Sequence, residues 1–416
     1  IIDWCVRRHV ALVPFGGGTS VVGGLAARRE GFAGVLSLDL IRFDKLLEVD
    51  HESMPAVLEP GLRGPAAEEL LAAEGLTIGH FPQSFEYASI GGFAVTRSSG
   101  QSSAGYGRFD SLVVGLKVAT PRGTLELGSS PANAAGPDLR ELVMGSEGAF
   151  GVVTAVRLRV RRLPAVKTYD AWQFASFADG ATAMRTLAQG GMLPTVIRLS
   201  DEAETSINLA RPSEVGGPAP DDAPAGGCLV IAGYEGTQDA VDAKRAACTT
   251  LLEGLGGTNL GEEGGRAWAS GRFHGPYLRD SLLDVGVLVE TLETVTFWSN
   301  LDHVYQSVKQ ALTDSLGDAT IVLCHISHVY ETGASLYFTV ATRQSDDPLS
   351  QWRAAKAAAS DAMVHGGASI THHHAVGQDH KPWLAEEIGP VGVEILRAVK
   401  ERLDPTGVLN PGILIP

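Results

Sequence analysis

The sequence predicts an α+β fold that is divided into two domains and a C-terminal segment. Its 416 residues are 44% hydrophobic, which is enough apolar material for more than one core. Up to residue 164, short alternating strands are separated by glycine-rich turns. From residue 165 to about 365, helical stretches alternate with strands, which favours a second domain on an antiparallel sheet. We therefore expect domains over 1–164 and 165–370 and a final segment over 371–416.

The first domain is expected to begin with the end of a helix over residues 2–10. A further helix is predicted over 65–74, because Pro65 lies at its first turn and Gly75 follows its end. Residues 81–106 are rich in Gly, Ser and Thr and show little periodicity, which predicts a long functional loop. The predicted strands lie at 11–14, 35–40, 56–59 and 152–160, with a hairpin over 112–127.

The second domain is expected to alternate helices and strands. Residues 211–227 contain several Pro, Gly and acidic residues and are predicted to form a mobile loop. A last helix is expected near 383–403, beyond the second domain. The predicted helices of the domain lie near 177–190, 237–254, 300–316 and 351–365, and its strands near 228–234, 285–292, 319–329 and 333–341.

The charge balance argues against a nucleic-acid partner, because the net charge is −15 and the sequence pI is about 5.2. An anionic substrate would need a local cluster of Arg, Lys or His. The four cysteines are scattered without metal-binding spacing, which indicates free thiols in a reducing compartment. We recognise neither a signal peptide nor an apolar run of transmembrane length, and we expect a cytoplasmic location.

A run of three glycines follows the first predicted strand, within the segment Val13-Pro14-Phe15-Gly16-Gly17-Gly18-Thr19-Ser20-Val21. Glycine allows main-chain N–H groups to turn inward and approach a ligand, and clustered N–H groups form a cradle for phosphates. The hydroxyls of Thr19 and Ser20 add donors. Neither the Lys of an NTPase loop nor the spacing of a dinucleotide fingerprint is present.

The triplet His372-His373-His374 leaves three interpretations open. A metal site is geometrically poor, because in a strand only the first and third side chains share a face. We therefore expect no metal. A surface tract resembling a tag does not fit the apolar and glycine flanks. The third interpretation is a cluster that handles anions and protons at an active site.

Glycine-rich segments recur in order at 14–20, 91–100 and 144–154. Together they resemble the PCMH-type FAD-binding domain of vanillyl-alcohol oxidase-like flavoproteins. Within that superfamily the chain closely resembles the alkyldihydroxyacetonephosphate synthases and their bacterial relatives. Further matching segments lie at 79–84, 118–123, 197–199, 277–280, 330–338 and 371–377, so the resemblance covers nearly the whole chain. It implies an FAD-binding domain, an α+β cap domain on an antiparallel sheet, and a tail that packs back on the FAD domain and active site.

The resemblance also implies a noncovalent FAD, because no His lies in the glycine loop and the counterpart of His80 is not a flavin anchor. The residues implied to wrap the pyrophosphate are Pro14, Phe15, Gly16, Gly17, Gly18, Thr19 and Ser20. Those implied to line the pyrophosphate and the flavin ring are Pro82, Gln83, Ser84, Ser89, Gly91, Gly92, Thr96, Arg97, Ser98 and Ser99. Those implied at the adenosine half and the flavin edge are Glu147, Gly148, Gly151, Val152 and Val153.

The reaction implied by the resemblance exchanges the acyl group of acyl-dihydroxyacetone phosphate for a long-chain alcohol, without net redox change. Tyr330 would transfer a proton, the triplet His372, His373 and His374 would assist, and Arg279 would hold the substrate phosphate. Arg198 would support the flavin side and the His cluster, although a structural salt bridge explains it equally well. A homodimer and peripheral membrane contact are also expected. Eukaryotic relatives are peroxisomal.

An alternative is an FAD-linked oxidase or dehydrogenase of a 2-hydroxy acid such as D-lactate or glycolate. Many of these enzymes hold a metal with a His-rich segment and a Glu-His-Gly motif. Here tyrosines stand at Tyr330 and Tyr337 where ligating His would lie, and His373-His374-Ala375 replaces the second motif. These differences disfavour a metal-dependent enzyme and leave a metal-free oxidase open. A scaffold protein that only binds flavin has no further support.

Overall fold

The computed structural model describes residues 1–207 and 226–416. Within them the chain divides into two compact units. Unit 1 comprises Ile1–Gly100, Gly107–Leu163 and His373–Pro416, and unit 2 comprises Gln101–Tyr106 and the described part of Pro164–His372. The loop predicted over 211–227 lies outside the described residues except for its last two glycines.

Unit 1 contains a five-stranded antiparallel sheet of order β3-β4-β8-β6-β7, a parallel pair β1-β2 and an antiparallel pair β5-β9. Its strands are β1 (Val10–Phe15), β2 (Gly34–Asp39), β3 (Leu46–Val49), β4 (Pro55–Leu58), β5 (Leu76–Thr77), β6 (Val113–Thr120), β7 (Gly123–Leu127), β8 (Val152–Arg159) and β9 (Arg161–Arg162). Its helices are α1 (Ile2–Arg8), α2 (Gly64–Ala73), α3 (Ile90–Val95), α5 (Phe109–Leu112), α6 (Arg140–Val143) and α14 (Lys381–Leu403).

The core of unit 1 follows from the alternation along β8. Val156 and Leu158 are fully buried, whereas the arginines between and after them reach the surface. The same core receives Leu71 from the buried face of α2. The chain leaves α2 through Gly75, whose φ of 73° only glycine adopts without strain. The strands, the hairpin and the helix near 65–74 that the sequence predicts are therefore confirmed within one or two residues.

The long loop predicted over 81–106 was wrong in part, because it contains α3 and the short helix α4 (Ser103–Tyr106). Ser89 caps α3, since its hydroxyl accepts the N–H of Gly92 at 3.3 Å. Gly91 and Gly92 in the first turn conceal the helix from sequence patterns, because each glycine costs about 1 kcal/mol relative to alanine.

Unit 2 is built on a seven-stranded antiparallel sheet of order β13-β10-β12-β11-β15-β16-β14, which confirms the predicted sheet type. Its strands are β10 (Val166–Phe174), β11 (Val196–Ser200), β12 (Cys228–Gly236), β13 (Thr258–Gly261), β14 (Val287–Phe297), β15 (Ile321–Ile326) and β16 (Gly333–Arg343). Besides α4, its helices are α7 (Phe177–Gln189), α8 (Glu202–Ser206), α9 (Gln238–Gly254), α10 (Glu263–Gly271), α11 (Gly275–Asp284), α12 (Leu301–Leu316) and α13 (Pro348–His365).

The core of unit 2 packs helices α7, α9, α12 and α13 against one face of this sheet. Trp172 on β10 and Leu199 on β11 are completely buried there. Both strands were absent from the sequence-based expectations. β11 is buried along all five residues, including the polar Arg198 and Ser200, so it has no exposed face.

The C-terminal residues 373–416 belong to unit 1. Leu409 pairs with Leu12 of β1, and the ammonium of Lys400 donates to the carbonyl of Ala149 at 2.9 Å. Helix α14 is broken at Gly389, whose φ is 68°, and at the following proline. Among the described residues, none of the helices is both long and apolar enough to cross a bilayer.

Candidate active site

The glycine loop of unit 1 touches the segment 82–89 backbone to backbone. A Cβ on Gly17 would lie 1.9 Å from the carbonyl oxygen of Tyr87, and a Cβ on Gly16 would lie 2.3 Å from the hydroxyl of Ser89. Pro14, at the start of the loop, lies under Gly148, where a Cβ would be 3.0 Å from the proline ring. A side chain at Gly16 or Gly17 would clash with the segment 82–89, so the three segments of the predicted cofactor site are in close contact.

The loop 144–151 is bound to α3 by main-chain hydrogen bonds. The N–H of Glu147 donates to the carbonyl of Val95 at 3.0 Å, and the N–H of Gly145 donates to that of Ala94 at 3.3 Å. The hydroxyl of Thr96 closes the end of α3 on the carbonyl of Gly92 at 2.8 Å. The glycine-rich segments that sequence reasoning grouped together are therefore adjacent in unit 1.

Several predicted cofactor residues have side chains that are already engaged. The guanidinium of Arg97 donates to Asp110 at 3.1 Å and to the carbonyl of Met144 at 3.3 Å, and it also contacts Glu141. The hydroxyl of Ser98 lies 3.0 Å from Nε2 of His80. Their main-chain N–H groups are engaged as well, because Arg97 donates to the carbonyl of Ala94 at 3.3 Å and Ser98 to that of Phe93 at 3.0 Å.

Val152 and Val153 bury their side chains in two separate hydrophobic clusters and pair with Ala119 and Val118 of β6. On the other side of β8, β4 pairs only from Val156 onward. The free edge of β8 is therefore next to the loop 144–151. Gly151, which joins loop and strand, has a φ of 157° and packs against Val118.

Buried polar atoms without partners test whether this cradle fits a large polar cofactor. Among the described residues of unit 1, the hydroxyl of Ser146, the side-chain oxygen of Asn410 and Nδ1 of His80 are buried and make no hydrogen bond. Burial and the nearby His373 lower the pKa of His80 to about 3, so this imidazole is neutral. Unsatisfied groups of this kind beside a glycine cradle fit a ligand with many donors and acceptors, such as FAD.

Glu147 is buried, and its backbone is left-handed with a φ of 50°. Its Oε2 accepts the N–H of Val376 at 3.1 Å and that of Gly377 at 2.8 Å. Burial raises the pKa of this carboxyl to about 7, although the two N–H donors oppose the shift. The resemblance assigns Glu147 to FAD, and its carboxyl reaches the C-terminal segment.

In unit 2, the hydroxyl of Tyr330 lies 2.5 Å from Nε2 of His372. The backbone of Tyr330 is held in a tight turn, because its N–H donates to the carbonyl of Gly333 at 2.8 Å. Its own carbonyl accepts the indole N–H of Trp298 at 3.0 Å. A phenol and an imidazole at this distance can exchange a proton without an intervening water.

Glu293 of β14 fixes the main chain that carries His372. Its carboxylate accepts the N–H of His372 at 2.7 Å and also contacts the hydroxyl of Thr371. Glu293 is 2% exposed. Sequence reasoning missed this residue, because β14 carries a second glutamate and several threonines that conceal a buried acid.

His328 is a second histidine beside His372 that sequence reasoning missed. The two rings stack with their centroids 4.8 Å apart and their planes at 23°. Nδ1 of His328 lies 2.7 Å from the hydroxyl of Ser103, and its N–H donates to the hydroxyl of Ser335 at 3.1 Å. Ser103 lies 225 residues away in sequence, so no local pattern could reveal this contact.

Arg198 of β11 lies in a buried ionic cluster. Its guanidinium contacts Glu204 and lies 3.0 Å from Nδ1 of His325. Burial opposes ionisation of Glu204, but Arg198 and His325 outweigh it and hold the pKa of that carboxyl far below its usual value. Burial, with Arg198 nearby, lowers the pKa of His325. The sequence allowed two roles for Arg198, support of the flavin side or a structural salt bridge. These contacts favour the structural salt bridge.

Arg279 lies on α11 and is partly exposed. Its guanidinium meets Asp280 at 3.3 Å, while its Nε is buried without a partner among the described residues. His373 and His374 belong to unit 1, where their rings meet edge to face with centroids 4.9 Å apart. The structure therefore brings Tyr330 and His372 together within unit 2 and keeps Arg198 in a separate cluster.

Comparison with family models defines the class of protein. A model for an FAD binding domain matches residues 1–128, and a model for the C-terminal domain of FAD linked oxidases matches residues 163–414. Both halves of the chain thus match domains of FAD-linked enzymes. The chain is an FAD-dependent enzyme, and the glycine cradle is the part of unit 1 whose geometry fits the cofactor.

The relatives narrow this class. The alkyldihydroxyacetonephosphate synthase of Dictyostelium discoideum is 33% identical over 437 residues, which cover 100% of this chain and 71% of that relative. A solved structure of an alkyldihydroxyacetonephosphate synthase has a TM-score of 0.81 at 29% identity and covers 99% of this chain and 74% of its own. The chain belongs to the alkyldihydroxyacetonephosphate synthase family.

A more distant structure confirms the wider fold. The p-cresol methylhydroxylase with substrate bound has a TM-score of 0.72 at 16% identity, over 99% of this chain and 85% of its own. The PCMH-type, vanillyl-alcohol oxidase-like α+β fold that the resemblance implied is therefore confirmed.

Proposed function

We propose that this enzyme exchanges the acyl group of acyl-dihydroxyacetone phosphate for a long-chain alcohol. The products are a fatty acid and the ether-linked alkyl ketone phosphate. One C–O bond to the ketone-bearing fragment breaks and another forms, so no electrons are gained or lost overall. Membership of the synthase family supports the substrate class, and the contact between Tyr330 and His372 is the observation that supports the chemistry.

The reacting carbon of the substrate is adjacent to a ketone, so its protons are acidic. Exchange at this carbon requires a base that removes a proton and an acid that returns it. Tyr330 fits this role, because His372 can take up or supply the phenolic proton over 2.5 Å. Glu293 keeps the backbone of His372 in place for this transfer.

FAD, when bound, would supply an electron-accepting ring system, and the enzyme's own residues position and protonate the substrate. We assign the cofactor to the predicted residues at 14–20, 82–99 and 147–153 of unit 1. Arg279 is the proposed phosphate ligand, and its unpaired Nε supports this role. His373 and His374 are proposed to assist in proton handling, whereas Arg198 is a structural residue in this scheme.

The test of this function is an anaerobic reaction without electron acceptor. Acyl-dihydroxyacetone phosphate and hexadecanol should yield fatty acid and alkyl ketone phosphate in equal amounts, quantified by mass spectrometry. Omission of the alcohol should abolish the ether product. Reduction of the FAD by D-lactate or glycolate, with no ether product from the first mixture, would instead support the hydroxy-acid alternative, which the comparisons favour less.

We further propose that the enzyme is a homodimer, that it is cytoplasmic and that it contacts membranes peripherally. A lipid substrate supports membrane contact, because its alkyl chains partition into bilayers. Val391 and Ile395 lie one turn apart on α14 and are 66% and 55% exposed, so they offer an apolar surface. Cosedimentation with phosphatidylcholine vesicles should fall when both are changed to Ser. Light scattering should give twice the chain mass of 43.7 kDa.

A further inference from the structure

We propose that Glu147 is a positioning residue whose carboxyl holds the main chain directly after His374. It thereby sets where the His373–His374 part of the triplet lies within unit 1. This inference rests on the proposed function in one respect: it takes His373 and His374 to assist in proton transfer. The contacts that carry it lie entirely within unit 1.

The carboxyl holds the C-terminal segment through two hydrogen bonds, and this pair of bonds is called the clamp below. Oε2 accepts the consecutive N–H groups of Val376 and Gly377, at 3.1 and 2.8 Å. These residues follow His374 by two and three positions and are separated from Glu147 by 229 and 230 residues in sequence. One oxygen atom therefore links the loop 144–151 to the turn that follows the histidines.

The clamped turn has a conformation that needs such support. Ala375 has a φ of 70°, which is unfavourable for a residue with a side chain. Gly377 has a φ of 57°, and a Cβ there would lie 1.9 Å from the carbonyl oxygen of Val22. Without the carboxyl, two N–H groups at this turn would lose their acceptor, and the strained Ala375 would be free to relax.

Glu147 itself cannot follow the turn if the turn moves. Its N–H is bound to Val95, and its carbonyl accepts the side-chain amide of Asn410 at 2.6 Å. The same amide donates to the carbonyl of Gly24 at 3.1 Å. A Cβ on Gly24 would lie 2.8 Å from Oε1 of Glu147, so the carboxyl is also enclosed on its other side. The clamp is anchored in the same loops that the proposed FAD site uses.

The electrostatic surroundings of the carboxyl fit a hydrogen-bonding function. Among the described residues, no cation forms an ion pair with the Glu147 carboxyl, and the hydrogen bonds that this carboxyl accepts come from main-chain N–H groups. The carboxyl therefore acts on the polypeptide chain and does not balance a charge. This distinguishes Glu147 from the buried Glu204, which is paired with Arg198.

The experiment compares Glu147→Ala and Glu147→Gln with Glu141→Gln as the control. Glu141 lies near the same loop, is exposed and pairs with Arg97. Hydrogen exchange of the Val376 and Gly377 amides is followed in FAD-free and FAD-loaded protein. We expect exchange to rise about tenfold or more in Glu147→Ala, since the carboxyl oxygen that accepts both N–H groups is lost. Glu147→Gln, which keeps an acceptor oxygen, should restore most of the protection.

Two further measurements connect the clamp to the histidines. The ring proton NMR signals of His373 and His374 in the FAD-free protein should shift in Glu147→Ala and return in Glu147→Gln. In the loaded enzyme, kcat should fall roughly tenfold or more, while KM and the Kd of FAD stay within about threefold. Unchanged amide exchange or unshifted ring signals in Glu147→Ala would overturn the inference, whether or not the wild type catalyses the proposed exchange.

Discussion

Two buried clusters of unit 2 use similar side chains for different purposes. In the cluster of Arg198, Glu204 and His325, a guanidinium and a carboxylate meet directly, and the histidine lies 3.0 Å from each of them. Opposite charges balance there, and the pKa of Glu204 is held well below its usual value. Removing one partner of such a cluster would leave a buried charge uncompensated, so its residues serve the fold.

In the second cluster the carboxylate binds the main chain. Tyr330 meets His372 at 2.5 Å, and the buried Glu293 accepts a main-chain N–H. The acid here orients the backbone, so the proton between phenol and imidazole can be displaced by a substrate. The comparison teaches that a buried carboxylate and a histidine do not identify an active site. The two clusters differ in the group that the carboxylate binds, a guanidinium in the first and a main-chain N–H in the second.

Removal of one hydroxyl gives the largest expected effect. Tyr330→Phe should lower kcat for acyl exchange by about 10²–10⁴-fold, because general acid–base catalysis is lost. FAD content and the unfolding midpoint should stay at wild-type values. The matched control is Tyr234→Phe, which removes a hydroxyl from the core of the same unit. Near-normal turnover in Tyr330→Phe would remove the tyrosine from the chemistry.

A substitution in the cluster of Arg198, Glu204 and His325 should lower the stability of the fold. Glu204→Gln leaves Arg198 buried without its counter-charge, and we expect the free energy of unfolding to fall by about 3–5 kcal/mol. Urea unfolding followed by tryptophan fluorescence measures this change. Glu126→Gln, in the exposed pair with Lys117, should leave the midpoint unchanged. A similar, small response of both variants would contradict the distinction between the clusters.

Glu147 should make stability depend on pH in the opposite sense to a paired carboxylate. Its pKa is raised to about 7 in the folded state, so the folded protein holds a proton that the unfolded chain releases at lower pH. Relative to Glu147→Gln, the wild type should therefore lose about 3 kcal/mol of unfolding free energy between pH 5 and 8. Parallel stability curves of the two FAD-free proteins over this range would refute the raised pKa.

The smallest effect is expected at the proposed phosphate ligand. Arg279→Lys retains the charge but loses the planar fork, so KM for acyl-dihydroxyacetone phosphate should rise roughly tenfold with kcat within about threefold. The control, Arg266→Lys, changes an exposed arginine that pairs with Glu262. Equal KM values for Arg279→Lys and the wild type would move the phosphate site elsewhere.

Sequence patterns could predict that the glycine-rich segments of unit 1 lie together, because glycines are needed where their backbones approach closely. Gly16 and Gly17 are required where the loop after β1 packs against the segment 82–89. This requirement is visible in the sequence as a run of glycines. The strand alternation of β8 was equally readable. Helix α3 could not be predicted from the sequence, because its two glycines outweigh the capping signal of Ser89.

Contacts between distant side chains could not be derived from local patterns. Tyr330 and His372 were identified only through the family resemblance, and nothing in their neighbourhoods specifies a 2.5 Å contact. The clamp from Glu147 to Gly377 spans 230 residues. Such pairs follow from the register of strands and the path of the tail, which depend on the packing of the whole unit.

The origin of the ether oxygen tests the central claim most directly. The enzyme is incubated anaerobically with acyl-dihydroxyacetone phosphate and ¹⁸O-labelled hexadecanol, and the products are analysed by mass spectrometry. Acyl exchange predicts ¹⁸O in the alkyl ketone phosphate, none in the released fatty acid, and no dependence on an electron acceptor. An absence of labelled ether, together with acceptor-dependent oxidation of a 2-hydroxy acid, would contradict it.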